Sequence, residues 1–461
     1  MRKVLIAGAS GFIGRALIDH LLIAEDVEIV ALSRGIRQSN HPRVIWKQCD
    51  LFSLKDTSIA MEGCETAYYL VHSMLPSASL SQGTFYDFDL IMADNFIRAA
   101  SDHKLKHIIY LGGMIPEGED LSWHLRSRLE VETTLRHTDI KTTALRAGLV
   151  IGPGGSSFTI LKRLVERLPI MICPAWTRTR SQPVALVDAI KVLHRSLNDE
   201  NIKGGIFDIG GPEVITYQGL IAKTSEKIRK TSKLLTLNII PLRLSRLWVT
   251  TITGVPKNLV YPLVLSLRHE MLVQPDQVWP YPSDLQTTVD EALDSAMVVQ
   301  EKSSGPFKGH IPEKRDVRSI QRLVLPLGAN AEWVAAEYFR WLPTFFSTLV
   351  RVMLEGDRCT FYLIHPWIQI LILEKSHERS SPDRQLLYVV GGKLSAKQGR
   401  GRLEFREVLD RDYIMAALHE FRPALPWYIY RYTQAIVHLI VMKAFGEHLK
   451  WHIIAGKEVK L

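Results

Sequence analysis

The chain has 461 residues, 46% of them hydrophobic and 23% charged. That is more than one ordinary domain needs and excludes a disordered or fibrous protein. The formal charge of +9 is spread without a dense basic stripe or a nucleic-acid-binding module, so no nucleic-acid partner is expected, while anionic cofactors or anionic lipid headgroups suit it. Cys49, Cys64, Cys173 and Cys359 lie far apart with no CxxC pair, which excludes a disulfide framework and a cysteine zinc site.

The opening "MRKVLIAGASGFIG" reads as a buried first strand broken by glycines, not as a signal peptide. Strand-like and helix-like segments then alternate: "KVLIAGA", "IGRALIDHLLI", "VEIVALSR", "ETAYYLVHSM", "IMADNFIRAAS", "KHIIYLGGM", "RSRLEVETTLRH" and "KTTALRAGLVIG". Short apolar runs separated by amphipathic helices predict βαβ units and a doubly wound parallel sheet, an α/β Rossmann-like fold. From "FTILKRLVERL" to "GGIFDIGGPEVITYQGLI" the alternation loosens into a smaller substrate lobe, with Thr216 as the N-cap of a helix. The apolar segment 234–271 is either core of that lobe or a patch at a membrane surface. No run of about eighteen apolar residues without a charge occurs, so no spanning helix is expected.

Residues 1–300 are thus read as one domain, and "EKSSGPFKGHIPEKRD" (301–316) as a linker. Over 317–461 the pattern changes. A strand-like "IQRLVLP" precedes a helical stretch that Pro343 should break, several strand-like runs follow, and a long helix ends the chain. This predicts an α+β domain of helix-grip type, an antiparallel sheet wrapped on a long helix. Its Trp333, Trp341, Trp367, Trp427 and Trp451 either fill a core or line a cavity for a hydrophobic ligand.

The most informative stretch is "LIAGASGFIGRALI". Gly8, Gly11 and Gly14 follow a strand and open a helix, an arrangement that brings backbone close to a pyrophosphate and turns a helix N-terminus toward it. Ser10, Phe12 and Ile13 complete the turn. The second strand ends in Ser33 and Arg34, with Arg37 close behind, where an NAD site has a carboxylate some 20 positions after the glycines. A guanidinium suits a 2′-phosphate, so NADP(H) is expected over NAD(H).

These residues resemble the atypical short-chain dehydrogenase/reductases of the extended, NmrA-like branch. The likeness runs from Gly8 to about Gly211. The whole chain resembles a bacterial subgroup in which this module precedes a C-terminal domain without assigned function. The resemblance implies that Asp50 and Leu51 of "CDL" hold adenine, that Val71 and His72 of "YLVHSM" lie against the cofactor, and that Ala147 and Gly148 of "LRAGLVIGPGG" line its nicotinamide end. It also implies that the asparagine of "IMADNFIRAA" props the fourth strand. Active members carry YxxxK on one helix and a serine after the fifth strand. Here His124 and Arg128 stand at the YxxxK positions, and Gly112 and Gly113 occupy the serine region.

Arg128 keeps a cation for ribose or phosphate oxygens but cannot act as a base. His124 is the candidate catalytic acid, or else only fills the tyrosine's space. Arg180 either meets an anionic substrate or forms a surface ion pair, and Glu130 and Glu132 are assigned to a solvated helix face. The sixteen histidines are read as lacking HxxxH and HExxH spacing, so no metal site is expected. The sequence therefore supports an NADP(H)-dependent oxidoreductase acting on a hydrophobic small molecule. The alternative is a non-catalytic NADP(H)-binding regulator, redox sensor or assembly factor. The expected compartment is the cytoplasm, with a peripheral position on the inner membrane left open; the oligomeric state is not legible.

Overall fold

The computed structural model describes residues 1–72, 80–118, 120–168, 170–230, 233–236, 249–298, 317–346, 350–363, 368–396, 401–409 and 412–454. The chain divides into two units, Met1–Leu75 with Asp89–Lys308, and Pro76–Phe88 with Gly309–Leu461. The expected linker 301–316 lies outside the described residues.

The first unit is built on seven strands: β1 (Arg2–Ala7), β2 (Val27–Ser33), β3 (Val44–Gln48), β4 (Thr66–Tyr69), β5 (His107–Gly113), β6 (Lys141–Ala147) and β7 (Ile206–Ile209). Their order is β3-β2-β1-β4-β5-β6-β7, with every neighbouring pair parallel. Parallel strands need crossovers, which are supplied by α1 (Phe12–Ala24), α2 (Leu54–Met61), α3 (Phe85–Asp102), α4 (Trp123–Leu135) and α6 (Leu186–Asn198). Helices on both faces make β1, β2 and β4 nearly continuously buried, which is why they read as unbroken apolar runs. Val4, Ile6, Leu17, Ile29, Tyr68 and Ile109 pack with Trp279 in the main core. The order reverses between β1 and β4, and ligands of such sheets bind at that switch point.

The smaller lobe comprises α5 (Ser156–Arg167), α7 (Tyr217–Lys227), α8 (Lys257–Ser266) and α9 (Val289–Val298). Thr216 caps α7, its Oγ1 accepting from the Gly219 N–H at 3.0 Å. Of the apolar segment 234–271, residues 237–248 lie outside the described residues. Val249, Val255, Val260 and Val264 are core, packed on Leu164, Val165 and Ile221. Among the described residues no helix is long and apolar enough to cross a membrane.

The second unit is an antiparallel meander of β8 (Val317–Val324), β9 (Val350–Glu355), β10 (Arg358–Leu363), β11 (Ile368–Lys375), β12 (Arg384–Gly391), β13 (Arg402–Val408) and β14 (Tyr413–Phe421), in the order β9-β10-β11-β12-β13-β14-β8. A short strand, Leu80–Gln82, drawn from the stretch between β4 and α3, adds parallel to β8. One sheet face is covered by α10 (Ala331–Phe345) and α12 (Gln434–Ile454), preceded by α11 (Trp427–Tyr432). Pro343 sits in the last turn of α10. Beyond it "VRVMLE" is strand, where the sequence suggested more helix. Tyr338 meets Phe405 at 5.2 Å and Phe445 at 5.0 Å between ring centroids, filling this interior with aromatic bulk.

Along β13, Leu403 and Phe405 face that core, while Arg402, Glu404 and Arg406 alternate onto the other face and are also buried. Glu404 Oε1 accepts from Arg384 Nε at 2.6 Å and Arg406 Nε at 2.7 Å. Burial alone would raise the Glu404 pKa, but Arg406 and Arg384 hold it well below the carboxylate range. Removing this buried carboxylate takes the shared charge partner from two guanidinium groups, so Glu404→Leu should lower stability in a urea unfolding series. Because the folded pKa is depressed, this stability is complete above the unfolded value of about 4.3 and is lost as pH falls below it. The variant should show a flatter acid limb than wild type.

Candidate functional site

The glycine turn is where β1, α1 and β4 come closest. Gly8 has φ +89°, and a Cβ there would stand 2.6 Å from the Leu70 carbonyl oxygen. A Cβ on Gly14 would lie 2.3 Å from the Gly8 oxygen, so only glycine lets α1 pack onto the turn. Gly11 is the N-cap and donates its N–H to Gly8 O at 2.9 Å. No side chain caps α1 and no acid sits in its first turn. The helix therefore presents N–H groups and its positive dipole end at the switch point, beside Ser10, Phe12 and Ile13.

On the outer side, Ser33 ends β2 and is buried. Arg37 Nε donates to Ser33 Oγ at 3.2 Å, and its guanidinium lies 5.2 Å from the Trp46 ring centre. Arg37, Arg15, Ser39 and His41 line a cavity of about 430 Å³. Arg34, the residue the sequence singled out, is not in this lining; its carbonyl accepts from Gln48 Nε2 at 3.1 Å. Asp50 and Leu51 follow β3, and Asp50 Oδ1 accepts from the Phe52 N–H at 3.2 Å. Asn95 Nδ2 donates to Leu51 O at 2.8 Å. This asparagine thus holds the loop after β3.

A second cavity of about 380 Å³ runs from the turn into the smaller lobe. Its wall brings together Phe12, Ile13, Val71, His72, His124, Arg128, Ala147 and Gly148 from four separate stretches of sequence. The far end is apolar, with Leu161, Leu164, Val260 and Leu263, plus Trp176 and Tyr217. Burial pushes the Tyr217 hydroxyl up to about 12. Ser73, which the sequence offers with His72 as a replacement donor near the nicotinamide or as part of a supporting loop, lies outside the described residues.

α4 is capped by Ser122, whose Oγ accepts from the Leu125 N–H at 3.4 Å, and it carries His124 and Arg128 one turn apart on the cavity side. Arg128 is buried and ion-paired to Asp89 of α3. The same Asp89 Oδ2 accepts from His72 Nδ1 at 3.0 Å and from Ser127 Oγ at 3.2 Å. Tyr110 on β5 donates its hydroxyl to Arg128 O at 3.1 Å. Arg128 Nε is buried with no acceptor among the described residues. Burial disfavours the Arg128 charge, but Asp89 more than offsets it, so the group stays cationic. The His124 ring lies 5.1 Å from that of His72. Burial first, then His72 and Arg128, push His124 well below the usual imidazole range, and burial with Arg128 lowers His72.

Of the glycines in the serine region, Gly112 is crowded and Gly113 is not. A Cβ on Gly112 would lie 2.6 Å from the Tyr110 ring, and one on Gly113 would lie 3.4 Å from Arg128 Cγ. The Tyr110 ring takes the space a side chain at 112 would need. Glu132, expected on a solvated face, is buried instead and holds Arg146 of β6 through two bonds of 2.8 and 2.7 Å. Arg180 pairs with Glu270 at 2.7 Å on the surface. Asp89 and Tyr217 are the site residues that sequence reasoning missed, while Arg37 was named there only as a neighbour of Arg34. Asp89 alone carried a signal, an acid inside the apolar run "FDLIM".

Residues 4–210 match the model of the NAD dependent epimerase/dehydratase family. The auxiliary protein GraX of Staphylococcus aureus is 33% identical over 134 residues, 29% of this chain and 43% of that protein. This chain thus spans less than half of the length of that relative. A nucleoside-diphosphate-sugar epimerase structure from Staphylococcus aureus is 16% identical and covers 64% of this chain and 99% of that one, with a TM-score of 0.52. An NADPH-dependent quinone oxidoreductase from Escherichia coli, solved with NADPH, is 17% identical and covers 63% of this chain and 98% of that one, with a TM-score of 0.50. At such identities the likeness to solved structures is one of fold. The first unit has the Rossmann-like fold of NAD(P)-binding proteins, and its residues 4–210 are the part that matches the epimerase/dehydratase family.

Proposed function

We propose that the first unit is an NADPH-dependent reductase of an apolar small molecule bearing a carbonyl or quinone oxygen. The observation that carries this is the buried Arg128 Nε, an N–H without an acceptor among the described residues, set in the wall of an apolar cavity that begins at the glycine turn. An unmet buried donor costs about 1–3 kcal/mol, which a ribose or substrate oxygen placed there would recover. The uncapped α1 N-terminus suits the pyrophosphate, and Ala147 and Gly148 leave room for a flat ring. Bound NADPH supplies the hydride from its nicotinamide ring.

The chain's own residues supply orientation and the proton. Asp89 fixes the Arg128 guanidinium and, through His72, the imidazole next to His124. His124 is neutral near pH 7, so it acts as a hydrogen-bond donor to the substrate oxygen, and the proton that balances the hydride comes through it from water. Arg15 of α1 and Arg37 beyond β2 line a cavity that suits the 2′-phosphate of NADPH, with Asp19 as the carboxylate in the same lining.

A second reading, a holder of NADP(H) without turnover, is favoured by the missing hydroxyls at Gly112 and Gly113 and by the uncharged state of His124. Following NADPH oxidation across a panel of quinones and apolar aldehydes separates the two. Turnover that His124→Phe lowers by roughly 10²-fold or more supports the reductase. Saturable NADPH binding without oxidation of any panel member supports the holder.

Arg37→Ala should weaken NADPH roughly 10- to 100-fold and leave NADH unchanged, as measured by fluorescence titration. Since the folded pKa of His124 lies below its unfolded value of about 6.5, its contribution to stability is complete above that pH and is lost as pH falls below it. The melting temperature should therefore drop less steeply from about pH 6.5 downward in His124→Phe than in wild type.

A further inference from the structure

We infer that Glu337, His448 and His452 of the second unit form a binding site for a divalent transition metal of the zinc class. Contrary to the expectation of no metal site, the histidines do include an HxxxH pair, "HLKWH" at 448–452 on α12. Residues four apart on a helix share a face, so both imidazoles turn the same way. That face meets α10, which supplies Glu337.

The donor atoms converge. His448 Nε2 lies 2.8 Å from Glu337 Oε1, His452 Nε2 lies 3.5 Å from the same oxygen, and the two Nε2 atoms are 3.3 Å apart. Ligand atoms at about 2.0–2.1 Å from a tetrahedral zinc stand roughly 3.3–3.4 Å from one another, which follows from the tetrahedral angle. The observed triangle is therefore close to one face of that tetrahedron and needs only small side-chain adjustments.

The surroundings hold the ligands in place. Arg340 Nη2 pairs with Glu337 Oε2 at 2.9 Å, leaving Oε1 turned toward the imidazoles. The Trp333 ring stands edge-on to His452 at 5.4 Å, and Phe445 stacks near His448 at 6.2 Å. Such outer contacts fix ring orientation and tune affinity. The side chains of Glu337, His448 and His452 keep 13%, 23% and 15% of their surface exposed, so an ion can enter and retain water as its fourth ligand. Two histidines and one glutamate with an open position form a ligand set known to hold zinc. In this unit the ion would clamp α10 to α12 over the sheet.

The test uses untagged full-length protein stripped of metal with a chelator and titrated with Co²⁺, then with Zn²⁺ by calorimetry. The expected result is the intense visible absorption of tetrahedral Co²⁺, saturating at one equivalent and displaced by Zn²⁺, with a melting temperature raised by Zn²⁺. Glu337→Gln, His448→Ala and His452→Ala should each abolish the absorption. Each should also weaken Zn²⁺ at least roughly 100-fold, the upper end of what losing an outer-shell partner costs. His377→Ala, at an exposed histidine outside the cluster, should change neither. Folded wild-type protein that shows no tetrahedral Co²⁺ band would overturn the assignment. So would variants of native circular dichroism that bind Zn²⁺ as tightly as wild type.

Discussion

The site depends on how closely backbone approaches backbone at Gly8 and Gly14. A side chain at either position would collide with a carbonyl oxygen, at Leu70 or at Gly8. Removing both Cβ atoms lets α1 start directly against the β1–β4 crossing, where the sheet order reverses. That single steric condition sets the helix N-terminus, the direction of Phe12 and Ile13, and the mouth of the apolar cavity.

Asp89 governs the other wall. One buried carboxylate oxygen gathers Arg128, Ser127 and His72 and keeps the arginine charged in an apolar setting. Where a lysine would hold ribose and lower the pKa of a neighbouring tyrosine, the fixed guanidinium holds position but leaves His124 neutral. Packing bears on the neighbouring strand as well, because the Tyr110 ring fills the space beside Gly112.

Much of the first unit could be read from its sequence, because strands buried on both faces leave unbroken apolar runs and a glycine turn has a fixed spacing. The second sheet was legible as a succession of strands, but Leu80–Gln82 was not, since its pairing partner β8 lies more than two hundred residues away. The same distance problem hid Asp89 and misassigned Glu132, whose partner Arg146 sits on a strand the helix packs against. Arg34 and Arg37 are nearly adjacent, and only the course of the chain after β2 decides which of them lines a cavity. Spacing alone would have shown His448 and His452, but nothing in the sequence brings Glu337 to them.

The most direct measurement is a crystal structure of the protein grown with NADPH. The pyrophosphate should rest on the N–H groups between Gly8 and Ile13, a ribose or substrate-side oxygen should accept from Arg128 Nε, and the nicotinamide should enter the apolar cavity beside His124. A turn blocked by side chains, or coenzyme bound elsewhere with Arg128 Nε still unmet, would contradict the account.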